Sequence, residues 1–146
     1  MFQRIFQRTK SMTDTITFLR SLSPYFLSVL RIVTALLFLE HGTSKLIGYP
    51  PSEMAEKFQL FSMIGLSGVL ELVGGSLLVF GLFTRVTSFI LCGEMAVAYF
   101  TAHAHNGLFP LVNKGELAVL YCFVFLFFVN SGGGPWSLDR LRPRRS

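Results

Sequence analysis

The sequence predicts an all-α membrane protein, a four-transmembrane-helix bundle with N and C termini cytoplasmic. Three observations predict it: an apolar composition, four apolar blocks of near-bilayer length, and basic residues gathered on one side of those blocks. Of 146 residues, 51% are hydrophobic, 16 are Phe and only 14% are charged, whereas soluble domains carry about a quarter charged residues. The mean hydropathy is +0.55. Lipid offers no partner to an open backbone group, which selects helices, and the blocks are too long and too few for barrel strands. The length admits one domain.

Residues 1–23 form an N-terminal cytoplasmic or interfacial segment in which Phe2, Ile5, Phe6, Ile16 and Leu19 interleave with Arg4, Arg8, Lys10 and Arg20. A surface helix and a disordered tail both fit it. It is not a cleaved signal: no small-residue cleavage site follows, and Glu40, His41 and Lys45 close the first apolar run. Residues 24–131 hold the spans, at Tyr25 to His41, Met63 to Phe83, Val86 to Ala104 and Val112 to Asn130. Each is close to the ~20 residues that a ~30 Å hydrocarbon core requires. Residues 132–146 form a basic cytoplasmic tail with a glycine hinge and an interfacial Trp136.

Basic residues beside spans stay in the cytoplasm. Arg4, Arg8, Lys10 and Arg20 precede span one, Arg85 lies between spans two and three, and Arg140, Arg142, Arg144 and Arg145 follow span four. The opposite side has Lys45, Lys57 and Lys114. An even number of spans accounts for this bias, so the net charge of +5 reports topology, with contact to anionic lipid as a consequence. Nucleic acid is not an indicated partner, because no basic face is interleaved with aromatics. Cys92 and Cys122 each fall inside a span without a CxxC spacing, and are read as apolar fillers of a helix interface, neither disulfide nor metal site.

Ionisable groups at membrane depth cost at least ~2.5–3.5 kcal/mol and usually face the bundle, where they pair or function. At 1.5 Å per residue, Arg31 and Glu94 lie about 12 Å from the cytoplasmic side and Glu71 about 18 Å, which predicts one intramembrane charged layer. Two readings stand for it. Arg31 pairs with Glu94 or Glu71 to fix helix register; alternatively, the unmatched carboxylate carries a proton or contacts a quinone head. Glu40, His41, Lys45, His103, His105 and Glu116 form an outer polar layer. Its donors suit a metal in type but have no spacing that fixes distances, so no metal is assigned. Gly68, Gly74, Gly75, Gly81 and Gly93 mark helix packing, since small residues let neighbouring backbones approach. The echo of "GEMAVA" (93–98) in "GELAVL" (115–120) is short enough to be coincidence; a true inverted repeat would favour a transporter.

"LRIVTALLFLEHGTSKLIG", "GVLELVGGSLLVFGLFTR", "GEMAVAYF" and "GGGPWSLD", in this order over residues 26–139, resemble the DoxX family of small bacterial membrane proteins. The family's span-one Arg falls on Arg31, its His-Gly-x-x-Lys run on His41, Gly42 and Lys45, its Glu-bearing glycine helix on Glu71, Gly74, Gly75, Gly81 and Arg85, and its Gly-Glu on Gly93 and Glu94. The resemblance implies a multi-pass inner-membrane protein, with quinone as the cofactor in view through a similar subunit of thiosulfate:quinone oxidoreductase. Three functions remain open: an accessory membrane subunit of a quinone-linked redox system, a small proton-linked transporter, or a membrane anchor for a peripheral enzyme. No flavin or dinucleotide fingerprint is present, so any oxidoreductase activity would need a protein partner of a redox complex or a bound cofactor. The lipid bilayer is the first partner expected, and a second copy of the chain is another.

Overall fold

The computed structural model describes the backbone of residues 2–52 and 61–142, with side chains from residue 15 onward. The expectations for the side chains of Phe2, Arg4, Ile5, Phe6, Arg8 and Lys10, and for Lys57, Arg144 and Arg145, lie outside the described residues. Among the described residues four main helices form: α1 (Phe2–Ile47), α2 (Met63–Phe80), α3 (Thr84–Ala98) and α4 (Glu116–Ser131). No strand occurs among the described residues. α1 packs along α2, α3 along α4, and α2 along α3.

Two stretches, Thr15–Ile47 of α1 and α2, are long and apolar enough to cross a membrane by length and composition, and α4 is a shorter apolar helix. The boundary expected at residue 23 is not marked by a break, because α1 continues through Pro24. The third block departs most from expectation. Regular α-helix stops at Ala98, a π-helical turn covers Tyr99–His103, and a 3₁₀ turn covers Ala104–Asn106. α4 begins at Glu116, four residues after the expected Val112, because Pro110 opens a separate turn that Lys114 closes at φ 59°. Asn113 Oδ1 fastens this corner by accepting from Gly115 N at 2.8 Å.

Local chemistry sets the ends of α2. Ser62 Oγ accepts from Gly65 N at 3.2 Å as an N-cap. At the other end Gly81 takes φ 66°, and Leu82 N and Gly81 N return to Leu77 O and Leu78 O at 2.9 and 3.1 Å. That left-handed closure is open to glycine at little cost.

Glycines also form the α1–α2 seam. A Cβ on Gly42 would stand 2.6 Å from Leu72 N, on Gly75 3.2 Å from Leu39 Cβ, and on Gly68 3.1 Å from Lys45 Cβ. Gly74 admits the side chain of Leu91 from α3, whereas Gly93, expected at a packing seam, has open space around it within the chain. The core holds Ala35, Phe38, Leu78, Leu91, Met95, Tyr121, Phe125 and Phe128. Phe38 meets Tyr121 and Phe125 edge-on at 5.1 and 4.9 Å between centroids. Phe26, Val33, Leu37, Val73, Phe89, Leu120 and Phe127 point outward, an apolar exterior suited to lipid.

Candidate functional site

Polar groups gather at two places along the bundle. At the first, helix ends meet residues 132–142. Arg31 is wholly buried, and its Nη1 donates to Leu78 O and to Val79 O, the latter at 2.8 Å. Nε donates to Gly133 O at 2.9 Å and Nη2 to Trp136 O at 2.6 Å. Leu78 and Val79 lie in the last turn of α2, where carbonyls lack the next turn's N–H groups; Gly81 N reaches Leu78 O, and Arg31 adds a donor to it and supplies one to Val79 O. Asp139 does the converse for α3, accepting from Phe83 N and Thr84 N, both at 2.7 Å. Arg85 Nη1 donates to Val129 O and Asn130 O at 2.6 and 2.5 Å, closing the end of α4. Burial raises the pKa of Asp139, but the hydrogen bonds from Thr84 and Phe83 and the charge of Arg142 outweigh it, leaving the carboxyl below the usual aspartate range.

This arrangement corrects one expectation. Arg31 forms no pair with Glu71 or Glu94, because carbonyls at the end of α2 and in the glycine-rich segment take its donors. Glu71 lies seven residues before Leu78, about 10 Å along α2. Lys45 meets it there instead: Nζ donates to Glu71 Oε1 at 2.6 Å and to Ser67 Oγ at 2.9 Å, with the Lys45 and Glu71 side chains 10% and 3% exposed.

The second place is a cavity of about 470 Å³ between the helices. Leu66, Leu70, Ile90 and Met95 give it apolar walls, and His41, Lys45, Glu71, Glu94, Thr101, His103, Lys114 and Tyr121 contribute its polar lining. The structure thus gathers two members of the expected inner layer with three of the outer one. Arg31, Glu40, His105 and Glu116 do not line it, and the last three are exposed. His103 Nδ1 donates to Asn113 O at 3.1 Å, which ties the π-helical turn to the corner before α4. His41 presents its ring edge-on to Tyr121 at 6.1 Å.

Glu71 Oε2 and both carboxyl oxygens of Glu94 are buried without a hydrogen-bond partner. A buried polar atom left unmet costs about 1–3 kcal/mol, so these three oxygens are the conspicuous unspent groups of the cavity. Among the described residues no cluster of three His, Cys, Asp or Glu side chains is placed to hold a metal. The fillers expected at Cys92 and Cys122 turn out to touch, with Sγ atoms 3.6 Å apart across α3 and α4. Nothing in their sequence spacing signals that contact.

Tightly seamed helices, an apolar exterior and charged groups drawn inside define a small all-helical membrane protein. Its family model, DoxX, matches residues 26–104. The chain belongs to the DoxX family. It is 48% identical over 120 residues to an uncharacterized protein of Haemophilus influenzae, covering 80% of this chain and 90% of that one. It is 29% identical over 122 residues to the "Inner membrane protein YqjF" of Escherichia coli, covering 77% and 88%. It is 34% identical over 118 residues to the "Putative oxidoreductase CatD" of Bacillus subtilis, covering 76% and 82%. No solved structure matches the chain.

Proposed function

We propose that the chain spans the bacterial inner membrane four times with both termini in the cytoplasm, and serves as an accessory subunit of a quinone-linked redox system by holding a quinone head in its cavity. One observation carries the reading: the same apolar-walled cavity is lined by the Lys45–Glu71 ion pair and by the unpartnered carboxyl of Glu94. A quinone matches that surface, with an apolar ring for the walls, carbonyls that accept from an ammonium, and, once reduced, hydroxyls that donate to a carboxylate. Reduction adds two protons as well as two electrons, and a carboxyl beside the ring is suited to exchange one of them. Sustained turnover draws its electrons from a protein partner, since the residues lining the cavity carry no redox centre. The names of the Escherichia coli and Bacillus subtilis relatives, one of the inner membrane and one an oxidoreductase, support the setting.

The test is photoaffinity labelling with an azido-quinone in lipid nanodiscs. Label is expected on peptides holding Glu94 to Thr101 and Leu117 to Tyr121, and Glu94→Leu is expected to reduce it about tenfold, the equivalent of one hydrogen bond worth ~1.4 kcal/mol. Label confined to outward positions such as Phe89 and Phe123, and indifferent to Glu94→Leu, refutes the reading.

A further inference from the structure

The contact between Cys92 and Cys122 is unused by the cavity chemistry. The two Sγ atoms lie 3.6 Å apart, bridging positions separated by 30 in sequence, and both residues are half-buried. The chain has 2 cysteines, so an intramolecular bond admits one pairing. Covalent S–S length is about 2.05 Å, which leaves about 1.5 Å to close between side chains of two packed helices. The pair also adjoins the cavity: Met95 and Tyr121, which line it, are three residues beyond Cys92 and one before Cys122. The loop that the bond would close contains the π-helical turn and the corner through Lys114, and so the rim residues Thr101, His103 and Lys114.

We propose that Cys92 and Cys122 form a reversible dithiol–disulfide couple that reduces a lipid-soluble quinone, the oxidant class being taken from the reading above. Both S–H bonds break and one S–S bond forms. The two electrons and two protons released convert one quinone to one quinol, which balances the step. The disulfide staples α3 to α4 and restricts the rim, so the redox state of the pair governs access to the cavity. Reduction by a thiol reagent reopens it.

The experiment uses the full chain in nanodiscs with duroquinone, whose fully methylated ring leaves no position for thiol addition. The expected result is one duroquinol per chain, loss of two hydrogens in the intact mass, a cross-linked peptide joining Cys92 to Cys122, and reversal by a phosphine reductant. Cys92→Ser and Cys122→Ser should each abolish quinol formation while keeping the Trp136 emission of the folded chain. If both thiols remain alkylatable by N-ethylmaleimide after excess duroquinone, or if the cross-link joins two chains, the proposal is overturned. The two readings fail separately. Azido-quinone labelling of a Cys92→Ser/Cys122→Ser chain tests the cavity alone, and thiol oxidation without cavity labelling removes the cavity reading while the couple stands.

Discussion

Arg31→Met tests whether the guanidinium holds the C-terminal segment against the bundle. Methionine keeps the length and apolar stem of arginine but removes donors to Leu78 O, Val79 O, Gly133 O and Trp136 O. Leu78 O keeps the bond from Gly81 N, and a buried carbonyl stripped of its donor costs about 1–3 kcal/mol, so the other three together reach on the order of 3 kcal/mol even at the low end. Water entering beside the exposed Arg140 and Leu141 relieves part of the upper range. The chain supplies its own reporter, since its 1 Trp is Trp136, whose ring packs 5.8 Å from that of Tyr25. Arg31→Met should shift Trp136 emission to the red and lower the unfolding midpoint in mixed micelles. Arg31→Lys should recover only part of both, because one ammonium cannot span carbonyls arranged for a planar fork. An Arg31→Met chain with native emission and stability within about 1 kcal/mol of the parent would refute the latch.

Lys45→Met leaves Glu71 buried without a counter-charge and should destabilise by about 3–5 kcal/mol, while Lys45→Met/Glu71→Gln should regain most of that loss in a double-mutant cycle. Gly42→Leu drives a side chain against the Leu72 backbone and should cost at least the 1–3 kcal/mol typical of overpacking, measured as a lowered midpoint in the same micelles. Asp139 has a folded pKa below its unfolded value, so its stabilising effect is complete above about pH 4 and is lost as the pH falls through the lower folded value. Asp139→Asn should remove that acid-side slope from a pH titration of stability, and an unchanged slope would show that Phe83 N and Thr84 N are capped otherwise.

The helical class was legible from composition, and spacing singled out Gly68, Gly74, Gly75, Glu71 and Glu94 without saying which helix each would face. The partner of Arg31 was not. A guanidinium bound to carbonyls leaves no charge complement in the sequence, and the available clue was the run of glycines before Trp136, which bares its backbone to a donor. Depth counting failed for a geometric reason. It treated every span as starting at one surface, whereas α1 runs on to Ile47 and carries Lys45 down to Glu71. Gly42, the closest approach of α1 to α2, was visible in the His-Gly-x-x-Lys run, but its spacing gave no measure of contact. The Cys92–Cys122 encounter depends on how α3 and α4 are set against each other, which periodicity within either helix does not determine.

The two polar places differ in how completely their hydrogen bonds are met, and that difference assigns them different work. Where residues 132–142 dock, Arg31, Arg85 and Asp139 each satisfy helix-terminal groups that would otherwise be orphaned. Thr84 Oγ1 is buried there without a partner, but Arg31, Arg85 and Asp139 have theirs, which suits a rigid closure. In the cavity, one oxygen of Glu71 and both of Glu94 have none, beside a π-helical turn of a kind frequent at functional sites. In the proposed function these unmet carboxyl oxygens are the groups a quinone head would meet, between α2 and α3 and away from Arg31.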